Sequence, residues 1–313
     1  VSAPPARAAR AGDASWVPDD VADELLALVR CEALRDVPAD VHAIVAALRE
    51  RYGADLLGAI YYGSCRRQAT PDGVVDLHAL LREHPPTRTP LGAVAARLLP
   101  PTIAYLEVPN RGAVVRAKVG LLSREQFRYG CSRRAYLSYF WGRYAQPVTL
   151  VGFDDPEPYL TDLLNALTTF AWHTLPLARP DDDALGYWRR ALAASYASEL
   201  RPEGVERAAA LVDLEADAYA ASGAVLLGLR PSCAARERAA RRGWWLRAHV
   251  GKLVSILRLV KAAATFEGGV DYALWKIERH TGRRPQVSDR VRRWPLVFGW
   301  PVLWRLWRDG SLR

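Results

Sequence analysis

Apolar residues recur along this chain with two different periods, and the change of period divides it in half. Over residues 18–52 the spacing is helical: Val21, Leu25, Leu26 and Leu28 recur behind the Pro18-Asp19-Asp20 start, and a second helix is predicted over about 39–52. Residues 56–62 form a short continuous apolar run ending at Gly63-Ser64, the pattern of a buried strand feeding a turn. A second strand is predicted over 74–81, reached through Pro71-Asp72-Gly73. Pro85, Pro86, Pro90, Pro100 and Pro101 punctuate the next stretch and leave room for one short helix over 91–99. Strands are then expected over 103–108 and 114–122, joined by the turn Pro109-Asn110-Arg111-Gly112. Ser123 opens a helix with Gln126 three residues on, a capping box, and this helix or a pair of helices carries residues 136–144.

From about residue 154 the strand pattern stops and Ala- and Leu-rich amphipathic stretches take over. The predicted fold is therefore α+β, with a mixed sheet and flanking helices over 18–152 and a mainly helical domain over 153–288. Residues 1–17, rich in Ala, Pro and Arg, read as a disordered leader, with an organelle-targeting remnant as the alternative. Residues 289–313 form a basic, Trp-rich tail.

Composition narrows the classes. Half of the 313 residues are hydrophobic and a quarter charged, and no apolar run approaches the roughly 20 residues of a spanning helix, which argues against a transmembrane protein. Cys31, Cys65, Cys131 and Cys233 lack zinc-site spacing and no secretory leader accompanies them, so all four read as reduced thiols of a protein that is not secreted. Charge is uneven: residues 241–313 hold 16 Lys and Arg against 5 Asp and Glu, leaving 27 against 29 for the first 240. A near-neutral body with a basic end calls for an anionic surface, nucleic acid or lipid headgroups.

The candidate chemistry begins at Gly63-Ser64, followed twelve residues later by Asp76 in the next strand. Glycine lets backbone approach a triphosphate, a serine hydroxyl bonds phosphate, and a strand carboxylate holds magnesium. An acid in an apolar strand is costly to bury without a cation or partner, so Asp76 is either a metal ligand or half of an ion pair. His78 stands where a second acid on the same face would add a ligand, and histidine is a poor magnesium ligand.

Several motifs in order resemble the mitochondrial-type phosphatidate cytidylyltransferases, within the DNA polymerase β-type nucleotidyltransferase superfamily. Tyr62-Gly63-Ser64 with Arg67-Gln68-Ala69 is similar to the family's Tyr-Gly-Ser turn, and Val75-Asp76-Leu77 to its aspartate strand. Residues 116–123, with Lys118 and Gly120, resemble its Lys-bearing strand, and Gly142-Arg143-Tyr144-Ala145-Gln146-Pro147-Val148 its Gly-Arg-Leu-Gln-Lys-Pro-Val helix end. Ser195-Tyr196 with Glu199 and Arg201 resembles a Ser-Tyr-x-Gly-Asp-x-Arg segment, with Glu199 in place of aspartate, and residues 252–269 resemble its basic helix and glycine turn. The region between the aspartate strand and Tyr105 is shorter than in the family and lacks its Trp-His and Asn residues.

The resemblance implies a nucleotidyltransferase-type sheet and magnesium-assisted transfer of CMP from CTP to phosphatidate or another phospholipid. It assigns Asp76, Lys118 and Glu199 to catalysis, Gly63, Ser64, Arg67 and Arg143 to the nucleotide, and Arg201 and Lys252 to the acceptor. Asp76 with Glu107 or Glu199 would hold the metal, although Glu107 also suits a solvent-facing position and Glu199 an ordinary pair with Arg201. Lys118 is expected to meet a phosphate. Arg67 and Arg143 are phosphate contacts or solvated surface arginines, and Arg66 reads as the latter. The Trp-rich tail, with Trp244-Trp245, reads as a membrane-interface segment or as packing for the core. The expectation is a peripheral membrane protein on a cytoplasmic or matrix-type face, with an anionic membrane surface as partner and no nucleic acid, a homo-oligomer being left open. Transfer to another lipid phosphate, a small molecule or RNA, and a non-catalytic membrane-binding role on a degenerate fold, stand as alternatives.

Overall fold

The computed structural model describes residues 15–68, 74–87, 89–200, 204–230, 234–281, 287–288 and 290–291. Two helices come first, α1 (Asp19–Ala33) and α2 (Ala39–Tyr52), each behind an extended proline and with acids in its first turn. Strand β1 (Leu56–Tyr62) runs into Gly63 and the short α3 (Ser64–Gln68); β2 (Val75–Leu81) and α4 (Pro90–Leu98) follow. The hairpin β3 (Thr102–Asn110) and β4 (Ala113–Ser123) leads to α5 (Arg124–Gly130), α6 (Trp141–Tyr144) and β5 (Thr149–Val151). The described elements beyond β5 are helices, chiefly α7 (Glu157–Thr174), α8 (Ala184–Ala197), α9 (Gly204–Leu214), α10 (Ala216–Leu227), α11 (Ala234–Thr265) and α12 (Gly269–Thr281). The architecture is α+β, a five-stranded mixed sheet with flanking helices and a helical C-terminal part.

Strand order is β3-β4-β2-β1-β5, with β2 and β4 parallel and the other three pairs antiparallel. Register places Tyr62, Asp76, Lys118 and Tyr105 side by side across four strands, and Ile60, His78, Gly120 and Ile103 in the next row. Side chains alternate along a strand, so both rows face one side of the sheet. On the opposite side Ala59, Leu77, Ala79 and Val119 pack against Val41, Ile44 and Leu48 of α2. On the first side Ile60, Leu80 and Leu122 join one buried cluster with Trp141, Phe170 and Trp188. That cluster runs unbroken across residues 152–153, where the sequence suggests a domain boundary.

Three local features differ from the sequence reading. Strand β5, lying between Pro147 and Gly152, is three residues long and too short to show alternation. The Gly63 turn continues directly into a helical turn, α3. Trp16 meets Trp172 edge-on at 5.4 Å and Val17 is buried, so packed structure begins ahead of residue 18; residues 1–14 lie outside the described residues. So do Cys233, Arg201 and residues 292–313 of the expected tail, whereas Cys31, Cys65 and Cys131 are free thiols.

Candidate active site

Gly63 has φ +92°, a left-handed conformation that an L side chain rarely adopts, and a Cβ there would stand 2.9 Å from Oδ2 of Asp76. The turn and the strand carboxylate are thus in direct contact. Directly across the parallel pair from Asp76 stands Lys118. Both open into a cavity of about 530 Å³, within the range of small-molecule sites, that is also lined by Gly63, Ser64, Arg67, Arg143 and Glu199. Seven of the ten residues expected at the site therefore share one cavity.

Two segments distant in sequence build its far wall. Gln146 accepts from the Tyr196 hydroxyl at 3.0 Å and donates to the Gly142 carbonyl at 2.9 Å, while Ser138 and Ser198 bond at 2.7 Å. These contacts hold Arg143 and Glu199 together, 3.9 Å apart. The Arg143 guanidinium also lies over the rings of Tyr62 and Tyr139, 5.1 and 5.0 Å from their centres. Burial opposes its charge, but Tyr139, Tyr62 and Glu199 outweigh burial and keep it firmly protonated. The Nε atoms of Arg67 and Arg143 are buried without an acceptor, and both residues line the cavity. Orphan guanidinium donors of this kind suit an anionic ligand such as phosphate.

His78 is fully buried beneath this wall. Its Nδ1 lies 2.7 Å from the Tyr144 hydroxyl and its Nε2 lies 3.2 Å from that of Tyr62. Burial, then the nearby charges of Arg143 and Lys118, push its pKa well below the ordinary value, so the ring is neutral. Its place opposite Gly120 is exclusive, since a Cβ on Gly120 would come within 2.8 Å of Nε2. The side chain thus orders two tyrosines, one of which carries Arg143.

Helix α11 closes the remaining side through Ser255, Arg258, Leu259 and Ala262, with Phe266 just beyond its end. Arg258 stacks over Tyr139 at 4.0 Å and donates to the Pro100 carbonyl, and Lys261 donates to the carbonyls of Leu99 and Pro101. Burial lowers the Lys261 pKa to about 8. Gly251 packs against the Ser198 carbonyl with no room for a side chain. Tyr62, Tyr139 and Tyr144 fall within or beside the sequence motifs but are given no role there, and Arg258 and Lys261 are not named; the 255–258–262–266 spacing is the one signal that marks the inward face of α11.

Other expectations are corrected. Glu107 lies one row out from Tyr105 and is bonded by the Tyr105 hydroxyl at 3.0 Å and by Arg116 at 3.3 Å, outside the cavity lining. It is not brought to the site, because the strand continues past the sheet rows that Asp76 and Lys118 occupy. Lys252 falls on the Ser255 stripe one turn earlier, but it is exposed and outside the lining. Arg66 is not a solvated surface residue: it is buried, bonding Glu32 at 2.7 Å, Thr149 at 3.0 Å and Glu215. Trp244 packs inward and donates to the His173 carbonyl, whereas Trp245 is exposed.

Among the described residues no group of three or more His, Cys, Asp and Glu side chains is placed to hold a metal. Among the described residues that line the cavity, Asp76 and Glu199 are the carboxylates. That donor set suits magnesium, which binds through one or two carboxylates while substrate phosphates and water complete its shell. Compared with the profiles of known protein families and with curated proteins, the chain shows no match, so the functional reading rests on the chemistry of this cavity.

Proposed function

We propose that this chain is a nucleotidyltransferase-type enzyme that transfers CMP from CTP to phosphatidate, giving CDP-diacylglycerol and pyrophosphate. One observation carries the reading: residues from separate stretches, Gly63-Ser64, Asp76, Lys118, Arg143 and Glu199, converge on a single cavity. The triphosphate would lie against the Gly63-Ser64 turn, with Lys118, Arg67 and Arg143 meeting its oxygens. Magnesium held by Asp76 and Glu199 would supply charge neutralisation at the phosphates. An oxygen of the acceptor phosphate attacks the α-phosphorus; the bond from that phosphorus to the bridging oxygen breaks, and the electron pair leaves with pyrophosphate. His78 stays neutral and holds Tyr62 beneath Arg143, so the guanidinium is already placed when charge develops. Leu200, Leu211, Leu259 and Phe266 line the same cavity and suit the apolar part of a lipid acceptor.

A non-catalytic binding role is favoured by one observation, the buried His78 in the strand position where a second acid would add a metal ligand. Incubating purified protein with labelled CTP, magnesium and phosphatidate vesicles separates the readings. Wild type is expected to form lipid-linked CMP and pyrophosphate in equal amounts, and Asp76→Asn to fall by about a hundredfold or more. Absence of lipid-linked CMP in the wild type overturns the proposal; consumption of CTP only with another phosphate compound reassigns the acceptor.

A further inference from the structure

Helix α11 shows two faces of different character. Its inward face packs on the molecule and walls the cavity, with Gly251 against Ser198 and with Arg258 and Lys261 on the carbonyls past α4. Its outward face carries Trp245, Leu246, Leu253, Ile256, Leu257 and Val260, all exposed, within an arc of about 120° at helical spacing. Neighbouring α4 exposes a second stripe of Leu91, Val94 and Leu98. Single exposed apolar residues are ordinary, but a run of this length on adjacent helices marks a docking surface.

We infer that the outward faces of α11 and α4 dock onto an anionic lipid bilayer and set the cavity mouth at its surface. Charge selects this occupant: besides the inward Arg247, Arg258 and Lys261, α11 carries five Lys and Arg against a single acid, Glu237. Arg238, Arg242 and Lys252 are exposed among or beside the apolar stripe, the arrangement that binds anionic headgroups and apolar chains together. A second copy of so basic a helix is a poor partner for it. Position agrees as well, because Leu259 is 64% exposed and Leu200 45% exposed, yet both line the cavity. Leu259, next to Val260 of the stripe in the chain, therefore belongs both to the exposed surface of α11 and to the cavity. A lipid whose phosphate lies near Lys118 and Arg143 then keeps its chains on the bilayer side. This orientation rests on the lipid-acceptor reading; the docking surface itself does not.

The 313-residue chain is sedimented with vesicles of phosphatidylcholine alone, or mixed with phosphatidylglycerol, an anionic lipid that is not the proposed acceptor. Capture by the mixed vesicles, with a loss of about a hundredfold or more in Leu253→Glu/Ile256→Glu/Val260→Glu, is the expected result. Leu34→Glu, exposed on another part of the molecule, serves as control and binds as wild type. The triple variant keeps the wild-type melting temperature and its turnover of a soluble short-chain phosphatidate. Wild-type capture by the triple variant overturns the inference. So does light scattering that shows a dimer dissociated by the triple substitution, or loss of capture only on removing residues 292–313. Capture that depends on the stripe, without CMP transfer to any phosphatidate, leaves the surface standing and removes the cytidylyltransferase reading.

Discussion

At position 78 a single side chain links stability, pH and the site. The unfolded chain takes up a proton on this imidazole near pH 6.5, and the folded chain does not, because burial and the charges of Arg143 and Lys118 hold its pKa well below that value. Stability from this group is therefore complete above pH 6.5 and declines as pH falls, with a slope approaching about 1.4 kcal/mol per pH unit. Urea unfolding at pH 7 and pH 5 checks it: wild type loses more stability than His78→Gln over that interval, and equal losses would remove the linkage. His173, lowered to about 3 by burial and then by Arg247 and Arg133, titrates in the same sense and is common to both proteins. A second test uses the neighbour in register. Gly120→Ala places a methyl against His78 and Pro101 and is expected to cost about 1–3 kcal/mol by overpacking, read as a lowered urea midpoint with unchanged slope. The sequence shows His78 as a strand residue on the acid's face. The two tyrosines that bracket it come from residues 62 and 144, and no local pattern foretells that meeting.

The elements were most legible where chemistry is local. Strands over 56–62 and 75–81, and the hairpin of β3 and β4, stand close to where apolar runs meet turn residues, although β3 runs on through Pro109 and Asn110 and the turn is Arg111-Gly112 alone, not 109–112 as the sequence suggests. The capping box is likewise written in four residues: Ser123 accepts from the Gln126 amide N–H, and the Gln126 side chain accepts from the Ser123 N–H. What the sequence hides is the second use of Gln126, whose Nε2 donates to the carbonyls of Ala96 and Arg97 and fastens α5 to the end of α4. Ser123→Ala should cost about 1 kcal/mol, the usual loss of a cap. Gln126→Ala should cost more, about 2–3 kcal/mol, since it removes the reciprocal bond and also strips a donor from two carbonyls. Chemical denaturation of both variants gives the order, and equal losses would leave the α4 tie without energetic weight. The same distinction explains Glu107. Alternation gives its face, but only the register of β3 on β4 shows that it lies a row beyond the cavity.

Across the whole molecule the site depends on a buried ionic knot that joins parts far apart in sequence. Glu215, at the break between α9 and α10, meets Arg66 and lies 3.7 Å from Arg67 of α3, and Arg66 reaches back to Glu32 of α1. Arg67 lines the cavity, so the helical C-terminal part reaches the Gly63-Ser64 turn through Glu215. Separations of 34 and 149 residues put these pairs beyond any sequence pattern, which is why Arg66 reads as a surface residue from sequence alone. Burial pushes the Glu215 carboxyl pKa upward against the pull of Arg66 and Arg67, so the knot holds by mutual pairing and suffers when one member is removed. Glu215→Ala should cost about 3–5 kcal/mol in urea unfolding, because it leaves two arginines in a space with one acid. Replacing the pair together, in Glu215→Leu/Arg66→Met, removes a charge of each sign and fills the space with apolar atoms, and should recover much of that loss. If the charges matter only as packing volume, the single and double variants will unfold alike. If they are coupled as the geometry shows, the double variant is the more stable. If the cavity takes CTP as proposed, the double variant is expected to bind it less tightly than wild type in a titration, because Arg67 has lost the carboxylate 3.7 Å from it.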